Sequence, residues 1–269
     1  MALPYFIGID SDGTAFDSMT IKHRHAFIPA MIEVWNLQAY SAKVYEICEH
    51  INLYSRTRGI DRFSGLQLTF ESFEKAGIPV PDYSALKGFL ASGKLSNATL
   101  TAYLKDHDDP YLRDVLRWSA EADLLFQKNI ETQPPFQGIL PVLKHAAGRA
   151  DIAVISSASE ASLRSDWQKE NLVSYVTKVY GQEFGGKKAQ LAVDRDKYAP
   201  GHMLMLGDAP GDLDAAQANG ALFFPIIPGH EEESWTDFDK TYLELFLNGK
   251  FDNTVQAELL AKFNSALGD

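Results

Sequence analysis

Tyr5-Phe6-Ile7-Gly8-Ile9-Asp10-Ser11-Asp12-Gly13-Thr14 is the stretch on which the fold turns. A largely apolar run, Tyr5 to Ile9, stops abruptly at a polar, turn-forming string. That pattern predicts a strand buried on both faces which opens into a loop at its carboxyl end. Strands of this kind belong to parallel sheets covered by helices on either side.

Matching segments lie far downstream. Ile152 to Ile155 ends in Ser156-Ser157, and a polar helix over about 160–170 leads to a strand at Val176 to Val179. Gly185-Gly186-Lys187-Lys188 opens a further helix, and Met203 to Leu206 runs into Gly207-Asp208. A helix at Leu213 to Ala218 and a strand at Leu222 to Ile227 complete the alternation. Strands alternating with helices predict an α/β fold, a doubly wound, Rossmann-like parallel sheet. The tail, 235–267, reads as helix packed on the outside.

Between about Thr20 and Asn129 no comparable strand occurs. Helices are expected at 26–35, 44–53, 66–76, 83–90, 98–105 and 111–127. The layout is therefore an α/β core, 1–18 and 134–269, split by an α-helical insertion, 19–133. Joins near Ser18 and Pro134 would serve as hinges.

Composition narrows the function. The chain has 269 residues and a formal net charge of −11, which argues against nucleic acid or an anionic membrane as partner. An anionic small substrate stays open, because a few cations or a metal can reverse the field in one cleft. One cysteine, Cys48, allows no internal disulfide and reads as a small buried hydrophobe. No signal peptide and no membrane-spanning run is expected, so the reading is a soluble, cytoplasmic protein.

In an open parallel sheet, ligands bind beyond the carboxyl ends of the strands. Those ends here carry Asp10 and Asp12, Ser157, and Asp208 with Asp212 nearby, while Lys187 and Lys188 start a helix. Carboxylates, a hydroxyl and an ammonium would converge on one crevice. Oxygen donors of this kind suit Mg²⁺. Each piece also has a plainer reading: Asp-x-Asp-Gly as a turn, the serines as caps, the lysines as surface charge.

Taken together, the four segments resemble the haloacid dehalogenase superfamily. Its first motif matches Asp10-Ser11-Asp12-Gly13-Thr14, its second Ser157, its third Lys187 or Lys188, and its fourth Gly207-Asp208-Ala209-Pro210-Gly211-Asp212. They occur in the family's order, and the helical insertion, which falls between the first two motifs, resembles the family's helical cap. The lysine is doubled and lacks the following proline common in relatives; spacing favours Lys187, as alignment favours Ser157 over Ser156.

The resemblance implies a phosphatase acting on a small phosphorylated metabolite. Asp10 would be the nucleophile and Asp12 the general acid and base. Ser157 and Lys187 would hold the phosphoryl group, with Thr14 and Ala158 as further substrate contacts. Mg²⁺ would sit on Asp10, the carbonyl of Asp12, Asp208 and Asp212. A carboxylate at position 12 separates phosphate-ester chemistry from dehalogenation, but a phosphomutase remains an alternative, as does a non-catalytic phosphate sensor.

The insertion carries its own candidates. Arg56, Arg58 and Arg62 fall within seven residues of an otherwise acidic chain. Arg58 and Arg62 would bind a second anionic group of the substrate, or else pair with the insertion's own acids. His23, just after the first hinge, is a candidate substrate contact or a structural histidine.

Overall fold

The structure, a computed structural model, describes residues 2–129 and 134–268. Its centre is a five-stranded sheet: β1 (Tyr5–Ile9), β2 (Ala150–Ile155), β3 (Lys178–Tyr180), β4 (Met203–Gly207) and β5 (Leu222–Pro225). Every pairing is parallel, in the order β3-β2-β1-β4-β5. The strand predicted first is thus the middle one. The order reverses direction at β1, where the chain goes to β2 and β3 on one side and then to β4 and β5 on the other. Such a switch point is where a crevice forms at the carboxyl ends.

After β1 and before Pro134 the described residues form seven α-helices: α1 (Ser18–Lys22), α2 (Ile28–Val34), α3 (Ser41–Leu53), α4 (Arg62–Lys75), α5 (Ser84–Leu90), α6 (Asn97–Tyr103) and α7 (Pro110–Asn129). A π-helical turn, His23–Phe27, joins the first two. These helices bury their own core, in which Phe63, Phe70, Phe73, Phe89 and Trp118 are among the largest side chains. The chain accordingly divides into two units, Met1–Asp17 with Pro134–Asp269, and Ser18–Gln133. The expected end of the insertion at residue 133 lies outside the described residues, as does the part of the second hinge that precedes Pro134.

The remaining helices cover the sheet: α8 (Ile139–Ala146), α9 (Glu160–Lys169), α10 (Lys187–Arg195), α11 (Pro210–Ala218), α12 (Glu231–Asp237), α13 (Leu243–Leu247) and α14 (Asn253–Ala266). Alternate residues of β1 feed two cores. Ile7 and Ile9 join Val154, Leu206, Phe224, Trp167 and Trp235, while Phe6 joins Ile155, Met205, Phe223 and Phe263. Burying one large apolar side chain is worth roughly 1.5–3 kcal/mol, so a strand apolar on both faces belongs at the centre. The tail is helical as expected but broken by a π-helical turn, Phe238–Tyr242. It is also more than outer cover: Phe238, Phe246 and Phe263 are fully buried. Among the described residues no helix is long and apolar enough to cross a membrane.

Candidate active site

Register levels the strand ends. Ile9 lies opposite Val154 on β2 and Leu206 on β4, and the Asp10 N–H continues the ladder to the Leu206 carbonyl at 3.0 Å. Asp208 follows β4 directly, and Asp212 occupies the first turn of α11, where its Oδ2 accepts from the Ala209 N–H at 3.1 Å. Asp212 packs so tightly on Gly207 that a Cβ there would come within 2.3 Å of the Asp212 Cβ, so residue 207 must be glycine. Asp10, Asp208 and Asp212 are all buried. Each offers a carboxylate oxygen within 4.8 Å of the others.

Lys187 enters this group from the start of α10. Its Nζ lies 2.9 Å from Asp10 Oδ1 and 2.6 Å from Asp212 Oδ1. A helix N-terminus is the unfavourable end for a cation, at about 0.3–1 kcal/mol; the two carboxylates hold it there. Burial alone would lower the Lys187 pKa, but Asp10 and Asp212 outweigh it and raise the value, keeping the ammonium charged. Lys188 is exposed, and its carbonyl accepts from Asn219 Nδ2 at 3.0 Å. The two lysines are therefore distinct: only the first touches the acids.

Three buried carboxylates thus gather around one buried ammonium. Burial therefore raises the pKa of Asp10 well above the ordinary carboxylate range, with Lys187 opposing and Asp212 and Asp208 reinforcing. Asp212 is raised by burial in the same way. Asp10 Oδ1, although in ion-pair range of Lys187, has no hydrogen-bond partner. Three buried carboxylates that each offer an oxygen to one point, one of those oxygens with no hydrogen-bond partner, fit a hard divalent cation on oxygen ligands.

The loop after β1 is tied down from several sides. Ser11 Oγ accepts from Trp167 Nε1 at 3.1 Å, and the Thr14 carbonyl accepts from Trp235 Nε1 at 2.8 Å. The Thr14 hydroxyl, an expected substrate contact, donates to Asp208 Oδ1 at 2.5 Å and so orients that carboxylate. Asp12 is only partly buried, and its side chain is not one of the three grouped carboxylates. At the neighbouring strand end Ser156 is buried, its Oγ accepting from the Ala158 N–H at 3.2 Å, while Ser157 is exposed. Ala158 spends that N–H locally, and its carbonyl accepts from Gln182.

His23, Arg58 and Arg62 belong to the helical unit. Arg62 Nη1 donates to Asp123 Oδ1 at 2.7 Å and Ser119 Oγ at 2.9 Å, with its guanidinium 4.8 Å from the Phe27 ring centre. It is thus paired with the unit's own acid, the plainer of the two expectations. Arg58 is buried and donates to the Leu53 carbonyl at 2.8 Å. His23 keeps part of its surface accessible, yet burial, with Lys22, Arg58 and Arg62 nearby, lowers its pKa to about 3. It also lines a small recess, with room for about 20 Å³, that Arg62, Asn52, Thr69 and Cys48 share.

Sequence reasoning missed the indoles of Trp167 and Trp235 as anchors of the loop after β1. Their partners lie 156 and 221 residues away, and no local pattern marks such a pairing. It also passed over Gln190, in α10.

No protein-family model matches the chain, and no curated protein matches it significantly. Solved structures do. A "predicted phosphoglycolate phosphatase" from Haemophilus somnus 129PT is 14% identical with a TM-score of 0.53, covering 81% of this chain and 83% of that one. A protein provisionally assigned as a phosphoglycolate phosphatase from Lactobacillus delbrueckii subsp. bulgaricus gives 13% and 0.52, over 91% and 98%. A Bacteroides fragilis protein provisionally assigned as a haloacid dehalogenase-like hydrolase gives 18% and 0.51, over 86% and 92%. At these identities the likeness is one of fold.

Proposed function

We propose, from the premise that this chain has the haloacid dehalogenase-like fold, that it is a cytoplasmic Mg²⁺-dependent phosphatase of a small phosphorylated metabolite. The observation that carries the reading is Lys187 bridging Asp10 and Asp212 inside a buried, over-acidic group. A structural ion pair has no need of three buried carboxylates converging on one point, whereas a divalent cation does, and the ammonium beside them suits a phosphoryl group.

In this reading the Asp10 carboxylate attacks phosphorus, forming an aspartyl-phosphate as the ester oxygen leaves. Lys187 favours the ionised Asp10 that this step requires. Asp12 gives its proton to the departing oxygen, then takes one from the water that cleaves the acyl phosphate. The Ser157 hydroxyl donates to a phosphoryl oxygen, and Thr14 keeps Asp208 turned toward the group. Asp10, Asp208, Asp212 and the carbonyl of Asp12 would hold Mg²⁺, which when bound neutralises charge on the phosphoryl oxygens.

For the substrate, two of the similar structures carry the name phosphoglycolate phosphatase, which supports a compact anionic phosphate ester. Arg58 and His23 are the proposed contacts to a second anionic group, whereas the pairing of Arg62 with Asp123 favours a structural role for that residue.

The test is phosphate release from a panel of phosphorylated metabolites with and without Mg²⁺. Wild-type protein is expected to need the metal, and Asp10→Asn to lose at least about 10³-fold in rate. Release that persists in Asp10→Asn would refute the assignment. Label moving between positions of one substrate, without release, would mark a mutase.

A further inference from the structure

Gln190 lies three residues after Lys187 in α10 and is fully buried. Its Nε2 reaches three carbonyl oxygens: Ser156 at 2.8 Å, Gly181 at 3.0 Å and Gly185 at 2.8 Å. An amide nitrogen has two hydrogens, so three acceptors share them. The first carbonyl belongs to the loop after β2, next to Ser157. The other two bracket the loop between β3 and Lys187.

Those loops also meet through their backbones. Ser156 N–H donates to the Tyr180 carbonyl at 3.1 Å, and Gln182 N–H to the Ala158 carbonyl at 2.8 Å. Glu183 Oε2 accepts from the Glu160 N–H at 3.0 Å. At Gly181 a Cβ would stand 2.4 Å from the Glu160 nitrogen and 2.9 Å from the Ala158 oxygen, so the approach tolerates no side chain there.

Gln190 Oε1, by contrast, is buried without a hydrogen-bond partner. A buried, unsatisfied acceptor costs about 1–3 kcal/mol. Packing alone would be served better by leucine or methionine. The benefit of an amide here therefore lies in its donor end, which no apolar side chain supplies.

We infer that Gln190 is a positioning residue, a clamp that locks the Ser157 loop to the start of the Lys187 helix and so fixes hydroxyl and ammonium at one spacing. Neither the acids nor the metal enters this role. The kinetic consequence rests on the phosphatase reading; the clamp itself does not.

The experiment compares wild type with Gln190→Met, Gln190→Glu and Leu259→Ala, a destabilising control in α14. By amide hydrogen exchange, Gln190→Met is expected to speed exchange about tenfold in both 156–160 and 182–187, the loss of about 1.4 kcal/mol of protection. The Leu259→Ala control should leave the two loops unchanged relative to each other. Kinetically, kcat should fall about 10²-fold, as a misplacement of about 1 Å can cause, with KM within about threefold.

Gln190→Glu sets a carboxylate against three carbonyls at neutral pH but offers an O–H donor once protonated. Its kcat relative to wild type should therefore rise as pH falls, a rescue that a merely structural role would not produce. Exchange that changes in one loop only, or in neither, overturns the clamp. So does a Gln190→Met kcat within twofold of wild type, or a pH-independent Gln190→Glu ratio. Should Gln190→Met not fold, the Gln190→Glu exchange and pH profiles decide. If wild type releases no phosphate from any ester, the phosphatase reading falls while the exchange result still judges the clamp.

Discussion

Lys187 of the core unit and Arg62 of the helical unit are both cations set against acids, and they are satisfied to opposite degrees. Arg62 has one carboxylate, one hydroxyl and one aromatic face, a set that balances its charge. Lys187 faces two buried carboxylates with a third beside them, and its charge cannot balance theirs. Burial is expensive for any ion left uncompensated, by several kcal/mol. A balanced pair is a sufficient end in itself; an unbalanced group makes physical sense when something cationic completes it. The difference separates a structural charge from a chemical one without reference to residue type.

The comparison breaks first at Lys187. Lys187→Ala is expected to lose about 10²–10³ in kcat, the scale for removing one aligned charge-stabilising donor, while Lys188→Ala stays within about twofold. Equal effects of the two substitutions in a phosphate-release assay would dissolve the distinction between the neighbours.

The second measure is pH and metal together. Asp10 and Asp212 have pKa values raised in the folded state by burial, whereas unfolded carboxylates titrate near 3.9. Above that value the unfolded chain gives up protons that the fold retains, so metal-free stability falls as pH rises through the raised folded values. Mg²⁺ favours the ionised group. At a hundredfold excess over its Kd at pH 8, it should add about 2.7 kcal/mol, about 5–10 °C in Tm. At the same concentration and pH 5 the gain should be smaller. Equal shifts at both pH values in thermal melts would count against a cation held by these raised carboxylates.

The smallest effect is expected at the satisfied cation. Arg62→Ala should cost about 1 kcal/mol, the sum of a partly exposed ion pair and a cation–π contact, and Asp123→Ala, which removes only the ion pair, less. The double substitution should cost little more than Arg62→Ala alone, as residues in one network do. A change beyond about tenfold in the ratio of kcat/KM for esters with and without a second anionic group would move Arg62 to the binding side.

How much of this was legible before the structure depended on the range of the interaction. β1 has the bounds that its apolar run predicts, and Asp10, Ser157 and Asp208 follow the strands they were expected to follow. Strand ends are local events written in consecutive residues. Helix α4 begins four residues before its expected start, because Asp61 caps it by accepting from the Phe63 and Ser64 N–H groups. That signal was present in the sequence and was passed over. The π-helical turns at 23–27 and 238–242 depart from the 3.6-residue period and leave no such mark. The indoles of Trp167 and Trp235, and the amide of Gln190, act across folded distances. Nothing adjacent to them says which carbonyl or hydroxyl they will meet.

The position of β1 at the middle of the sheet has a consequence for how the chain is made. Its two neighbours are β2, beginning at Ala150, and β4, beginning at Met203. On the ribosome, therefore, the apolar strand that leads into Asp10 emerges ahead of both and has neither to pair with until the whole helical unit has been synthesised. That unit, rich in short-range helical contacts, can assemble early, whereas the sheet must wait for pairings of long sequence separation. The residue that begins the reading of this protein is thus synthesised well before anything exists to enclose it.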